Sequence, residues 1–412
     1  MKSLINNNML KIAIYLCLLG LTIGYVVDSK VTINSCFFVG LFCQIINFIK
    51  HKNFAIYLKL NKLDLILFFL IFLFNISLFV ISFFAYDTNI SFRYADHYFK
   101  WLVIPMLMIA LLSYKVENYE KFISVGLCIG SLIISLGVFW NFYTLGIDRP
   151  GSWLGLNHPN NVAGIIIFLL PFVVMQSGIK NIMIKFIVVF ICLGALLLSG
   201  SRGAILSLMC MLIILIVFKF KTLINLPNLK ILKIIVGVVI GLIIVFTALL
   251  NVNKNFTDRF TSIFIYKDSL IEHRIGGDRL VLWKSSLKMI EDYPLTGVGL
   301  RNFNNIYING NYIDLQAKEP ELTSPHNIFL HFLVETGVLG GIIFILLISY
   351  QLYYLWVNRF LSDIVIACFV SIVGMCIHGL FDYLFLIKNY YQLYWFLFFS
   401  VWLYITTQER KN

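Results

Sequence analysis

SPHNIFLHFLVETGVLGG, residues 324–341, places two histidines and a glutamate inside an apolar run. The run continues to about residue 356, long enough for a helix crossing a bilayer, which needs about 20 apolar residues. Polar groups embedded there require partners, because an unsatisfied one costs several kcal/mol in hydrocarbon. Ser324 is a suitable N-cap and Pro325 a favourable first helical residue, which predicts His326 in the first turn against the positive end of the helix dipole. That position favours the neutral imidazole, the form able to accept a proton. At about 100° per residue, His331 and Glu335 lie about 140° and 180° around the helix from His326. His326 and Glu335 are therefore not a dyad, whereas His331 and Glu335 are i, i+4 neighbours that can pair inside a bundle. Gly337 and Gly341, four apart, predict a smooth face for close helix packing.

The same kind of run recurs along the chain. Of 412 residues, 60% are hydrophobic and only 13% charged. Hydropathy predicts an all-α polytopic membrane protein of about 12 spans, near residues 10–27, 31–49, 63–84, 99–113, 121–145, 161–177, 182–199, 203–218, 231–250, 326–356, 361–380 and 390–406. The domain reading is nine spans over residues 1–250, one large loop over 251–325 and three spans over 326–412. No small-residue cleavage site follows the first run, so it reads as an uncleaved helix.

A net charge of +12 raises the question of nucleic acid. The lysines, however, cluster in short loops at Lys50, Lys52, Lys59 and Lys62, at Lys180 and Lys185, and at Lys219, Lys221, Lys230 and Lys233. They share one side, which places these loops and both termini in the cytoplasm of a bacterial inner membrane, and nucleic-acid binding is discounted. The eight cysteines fall in apolar runs without a C-x-x-C pair and read as core residues. The long loop then lies on the opposite, periplasmic or extracellular face, where a large hydrophilic connection among tight ones is a place for function.

Within it, GGDRLVLWKSSLKMIEDYP sets Leu280, Trp283, Leu287 and Ile290 at helical spacing. This predicts an amphipathic helix along the membrane surface or, more plainly, a short helix closing the loop. Arg274 and Arg279 precede its core, and Gly297 and Gly299 follow, a turn in which backbone N–H groups can approach an anion. Arg202 lies in the tight hairpin SGSRGAILSL, where Ser199 and Ser201 can cap the next helix and Gly203 keeps the approach open. An arginine and a helix N-terminus converging on one spot suit phosphate, and a snorkelling anchor is the alternative. DRPGSWLGLNHPNN brings Arg149, Trp153 and His158 to the same face, as a glycan-recognising cluster or as an ordinary loop.

Taken together, His326–Asn327 with Gly337 and Gly340, the S-R-G hairpin at Arg202, and Arg279, Trp283, Pro294, Gly297 and Gly299 resemble the O-antigen ligases, within the wider O-antigen ligase and polymerase membrane family. The resemblance covers most of the chain, with specific motifs at residues 199–203 and 274–341. It implies a GT-C-like glycosyltransferase that works without metal or another cofactor. Its donor would be an O-antigen on undecaprenyl pyrophosphate and its acceptor a sugar hydroxyl of lipid A-core, both met at the periplasmic face among membrane lipids. Arg202, Arg279 and Arg274 would hold the pyrophosphate, and His326 would take the hydroxyl proton or contact phosphate. The family's acidic residue after the eleventh span matches Asp382, which would orient the base or the acceptor, or simply pair with Lys388. A polymerase, whose acceptor is a growing chain, is the second reading. A transporter is a distant third, since it would need paired polar groups at mid-membrane.

Overall fold

The computed structural model describes residues 7–51, 60–114, 116–153, 156–175, 182–224, 279–310, 312 and 324–409. Every regular element among them is helical: α1 (Asn7–Val27), α2 (Lys30–His51), α3 (Lys62–Ser82), α4 (Thr88–Ser113), α5 (Tyr119–Leu145), α6 (Pro159–Met175), α7 (Ile182–Leu198), α8 (Arg202–Ile224), α9 (Arg279–Asp292), α10 (Phe303–Asn309), α11 (Ile328–Val357), α12 (Asp363–Gly379), a 3-10 turn at Leu384–Leu386, and α13 (Lys388–Glu409). Six of these, α1 to α5 and α11, are long and apolar enough to cross a membrane, and α6, α7, α8 and α12 are shorter apolar helices. The chain is a multi-pass membrane protein. The span expected at 231–250, Arg274, and the acidic residues Asp314, Glu319 and Glu321 lie outside the described residues.

Hydropathy placed most helices to within a few residues, with α4 the exception. It begins at Thr88, well before the expected 99, because Asp87 caps it, accepting from the Ile90 N–H at 2.9 Å. The added turns carry Arg93, Asp96 and His97, and Asp96 pairs with Lys100 at 2.6 Å. An apolar window does not register a helix that continues beyond the hydrocarbon.

Bundle order follows from where apolar surface is continuous. α13 carries Tyr390, Tyr394, Trp395, Phe396 and Phe399, all buried, and a helix apolar on every side belongs in the interior. It packs on α4, while α12 packs on α6 and α8, α11 on α3 and α12, and α1 on α2 and α5. At one end of the bundle, the fully buried Asp64 accepts from Tyr354 Oη at 2.7 Å and Trp402 Nε1 at 2.8 Å, joining α3, α11 and α13. The opposite end gathers the connections that carry the candidate residues.

Here α11 is interrupted. Gly337 has φ +62°, and the helix turns sharply at that residue. The segment after α9 fills the break: the Val298 and Gly299 N–H groups donate to the carbonyls of Val334 and Glu335, each at 2.9 Å, and the Val338 N–H donates to Pro294 at 2.8 Å. Only glycine permits this approach, since a Cβ on Gly297 would meet the Val334 carbonyl oxygen at 2.4 Å and one on Gly337 the Leu295 carbonyl oxygen at 2.3 Å. Two expectations are thereby corrected. The turn directs its Val298 and Gly299 amides to α11 and its Gly297 amide to the Tyr293 carbonyl, not to an anion, and Gly337 is the site of a kink and not part of a smooth helical face.

Candidate functional site

The mouth of α11 is built by Asn327. Its Oδ1 accepts from the N–H groups of Phe329 and Leu330 at 3.0 and 3.1 Å, so the helix starts at Ile328. This corrects the expectation that Ser324 and Pro325 begin it. An asparagine side chain aimed at the first-turn amides is as good a cap as serine and stands closer to the apolar run. His326 therefore precedes the helix, with φ +50°. Left-handed backbone at a non-glycine residue costs about 1–3 kcal/mol and persists where the surroundings fix it.

Asp382 is what fixes it. His326 Nδ1 lies 3.2 Å from Asp382 Oδ1, across 56 residues of sequence. The same oxygen accepts the Tyr383 N–H at 2.8 Å. Asp382 thus pairs with His326 and not, as the alternative reading had it, with Lys388. Burial opposes ionisation of Asp382, but the hydrogen bond from His326, the nearby His378 and His326 rings and the Tyr383 amide outweigh it, leaving the carboxyl well below the usual range. A carboxylate on Nδ1 selects the tautomer whose Nε2 bears the lone pair.

The arginines approach from other elements. The α7–α8 hairpin abuts the Asp382 loop: a Cβ on Gly203 would stand 3.0 Å from Phe381 Cβ. Arg202 opens α8 from this hairpin and is exposed. Ser201 contributes its carbonyl to the Ile205 N–H, while the Ser199 hydroxyl turns back to the Leu196 carbonyl. Arg279 is the first residue of α9. Burial weighs against its charge, Asp382 supports it and Arg202 opposes it, so the three groups share one neighbourhood. Trp283 Nε1 donates to the Pro325 carbonyl at 2.9 Å and holds α9 at the mouth of α11. The face that α9 packs against the protein differs from the apolar row set out by the sequence. Leu282 and Met289 are at 0% exposure, with Ser285 and Ser286 also buried, whereas Leu287 is 56% exposed.

His331 and Glu335 pair as the spacing predicts, with His331 Nε2 3.0 Å from Glu335 Oε2 and the ring off the line of a hydrogen bond. Their burial has further support. The His331 ring stacks on Tyr383, with centroids 3.8 Å apart, and Tyr383 and Tyr98 hydroxyls meet at 2.9 Å. Burial disfavours the charge of Arg301, but Tyr94, Glu335 and Tyr98 more than offset that. Sequence reading passed over Tyr383 and Arg301, and only the adjacency of Tyr383 to Asp382 could have pointed to the former. His158 lies where Asp382, Arg149 and His326 all act on its charge.

His326, Asp382, Arg202 and Arg279 therefore meet at one end of the bundle, from four separate segments. An oriented imidazole beside two guanidinium groups can remove a proton from a hydroxyl while holding a bulky anion. Among the described residues no group of three or more His, Cys, Asp or Glu side chains has the arrangement to hold a metal ion.

Residues 187–345 match the O-antigen ligase family, whose members are glycosyltransferase-like enzymes. The matched segment includes Arg202, Arg279 and His326 and ends before Asp382. An uncharacterized protein of Haemophilus influenzae is 24% identical over 286 residues, 66% of this chain and 68% of its own length.

Proposed function

We propose, with the O-antigen ligase family match as premise, that this chain is an O-antigen ligase: it transfers a polysaccharide from undecaprenyl pyrophosphate to a sugar hydroxyl of lipid A-core. The observation that carries the reading is the His326–Asp382 pair facing a site with two arginines. In this mechanism the acceptor hydroxyl gives its proton to His326 Nε2 as its oxygen attacks the anomeric carbon. The carbon–oxygen bond to pyrophosphate breaks, and its electron pair leaves with the phosphate. Asp382 holds the imidazole in the accepting tautomer and stabilises the imidazolium that forms, a role that carboxylates play beside catalytic histidines generally. Arg202 and Arg279 neutralise the departing charge, with Arg274 assigned to the same task from its place in the loop. Displacement in one step inverts the anomeric centre.

The site end of the bundle is assigned to the periplasm of a bacterial inner membrane, with both termini cytoplasmic, as the lysine-rich loops imply. A polymerase of the same family would use the same proton transfer and differ in its acceptor. Deleting the gene and resolving cell-envelope lipopolysaccharide by electrophoresis separates the two. Bare core with polymer stranded on the lipid carrier is the expected result, core bearing a single repeat would assign a polymerase, and an unchanged glycan profile would overturn both.

A further inference from the structure

Arg149 is a half-buried cation that the mechanism does not use. Its Nε donates to the Ser199 carbonyl at 3.2 Å, and one Nη donates to Asn160 Oδ1 at 3.0 Å. One fork thus joins the hairpin that carries Arg202 to the first turn of α6. The fit is close, since a Cβ on Gly200 (φ +64°) would stand 3.4 Å from Arg149 Nε. The loop bearing Arg149 is itself anchored, with Asn141 Nδ2 donating to the Gly151 carbonyl at 3.0 Å and Ser152 Oγ to the Ile134 carbonyl at 2.7 Å.

The electrostatics give this fork a task. Arg202 opposes the charge of Arg279, and Asp382, which supports that charge, also pairs with His326. Hydrogen bonds to two neutral acceptors can hold the hairpin without taking positive charge away from the site, as an added carboxylate would.

We propose that Arg149 is a positioning residue, a clamp between the Arg202 hairpin and α6 that keeps the pyrophosphate site formed before the donor binds. This rests on the assignment of Arg202 to the donor pyrophosphate. Donor binding can itself draw the hairpin into place, so loss of the clamp raises the donor concentration needed and leaves turnover at saturation nearly intact.

The test uses the full-length protein in lipid nanodiscs, with inorganic pyrophosphate binding measured by calorimetry and transfer measured over a range of donor concentrations. Arg149→Ala and Asn160→Ala are each expected to weaken binding roughly tenfold, within the range of coupled neighbours, and the double variant no further. Arg149→Lys recovers part of the loss, and donor KM rises in all of these variants while kcat changes little. Wild-type binding in Asn160→Ala, or losses that multiply in the double variant, would overturn the clamp while leaving the donor site standing. Pyrophosphate binding unaffected by Arg202→Ala removes the anion site itself, and the clamp with it. Asn160→Ala leaves the arginine in place, so it decides the matter if Arg149→Ala fails to fold.

Discussion

A histidine acts as a base only if its accepting nitrogen faces the substrate, and in the proposed mechanism the Asp382 carboxylate against Nδ1 sets that for His326. Replacing Asp382 with asparagine keeps the shape but allows the opposite tautomer. Transfer by Asp382→Asn is expected to fall about 10²- to 10⁴-fold, as when general-base function is lost, and by His326→Ala at least as far. Initial rates with purified donor and acceptor check this, and normal transfer by both His326→Ala and Arg202→Ala would remove the site assignment. The depressed pKa of Asp382 also fixes a sign. A carboxyl whose folded pKa lies below its unfolded value stabilises the fold above the unfolded pKa, near 3.9, and loses that contribution as pH falls through the folded value. The thermal-stability advantage of wild type over Asp382→Asn is therefore expected to persist at pH 5 and to be lost only in stronger acid. A difference that disappears between pH 7 and 6 would contradict the pairing.

For the elements, the interrupted α11 is the feature to test. Gly337→Ala introduces a Cβ where φ is +62° and the Leu295 carbonyl oxygen is 2.3 Å away. It is expected to destabilise the protein by about 1–3 kcal/mol and to lower transfer, since the displaced segment leads through α9 to Arg279. Thermal melts beside activity would show both, and a wild-type melt would refute the docking. The positions of the helices were legible because hydrocarbon imposes length and apolarity on them. Arg202 and His326 were legible because charge at a tight connection is conspicuous. The His326–Asp382 pair was legible only by analogy, because no periodicity links residues 56 positions apart. The glycine pairs at 297–299 and 337–341 had the right composition for both an anion turn and a packing face, and only their mutual contact decides. The face of α9 packed on the protein was not legible for a different reason: Leu282 and Leu287 are equally apolar, and a helix between protein and lipid can turn either side inward.

Among the described residues, the buried Asp64 network and the candidate site occupy opposite ends of the bundle. Asp64→Ala removes the acceptor shared by Tyr354 and Trp402, at about 1–3 kcal/mol for each bond lost. The expected outcome is a clearly lowered melting temperature with unchanged kcat per folded molecule, and a selective loss of kcat would show that the two ends are coupled. The distribution of the site along the chain has a consequence for biosynthesis. Arg149 and Asp382 are separated by about 230 residues. At about 5–20 residues per second, a ribosome takes on the order of ten to fifty seconds to pass from one to the other. Within that interval the Arg202 hairpin is made first, His326 later and Asp382 last. Under the proposed function, a nascent chain that lacks Asp382 and the last helix cannot complete the transfer, and activity begins only when that helix joins the bundle.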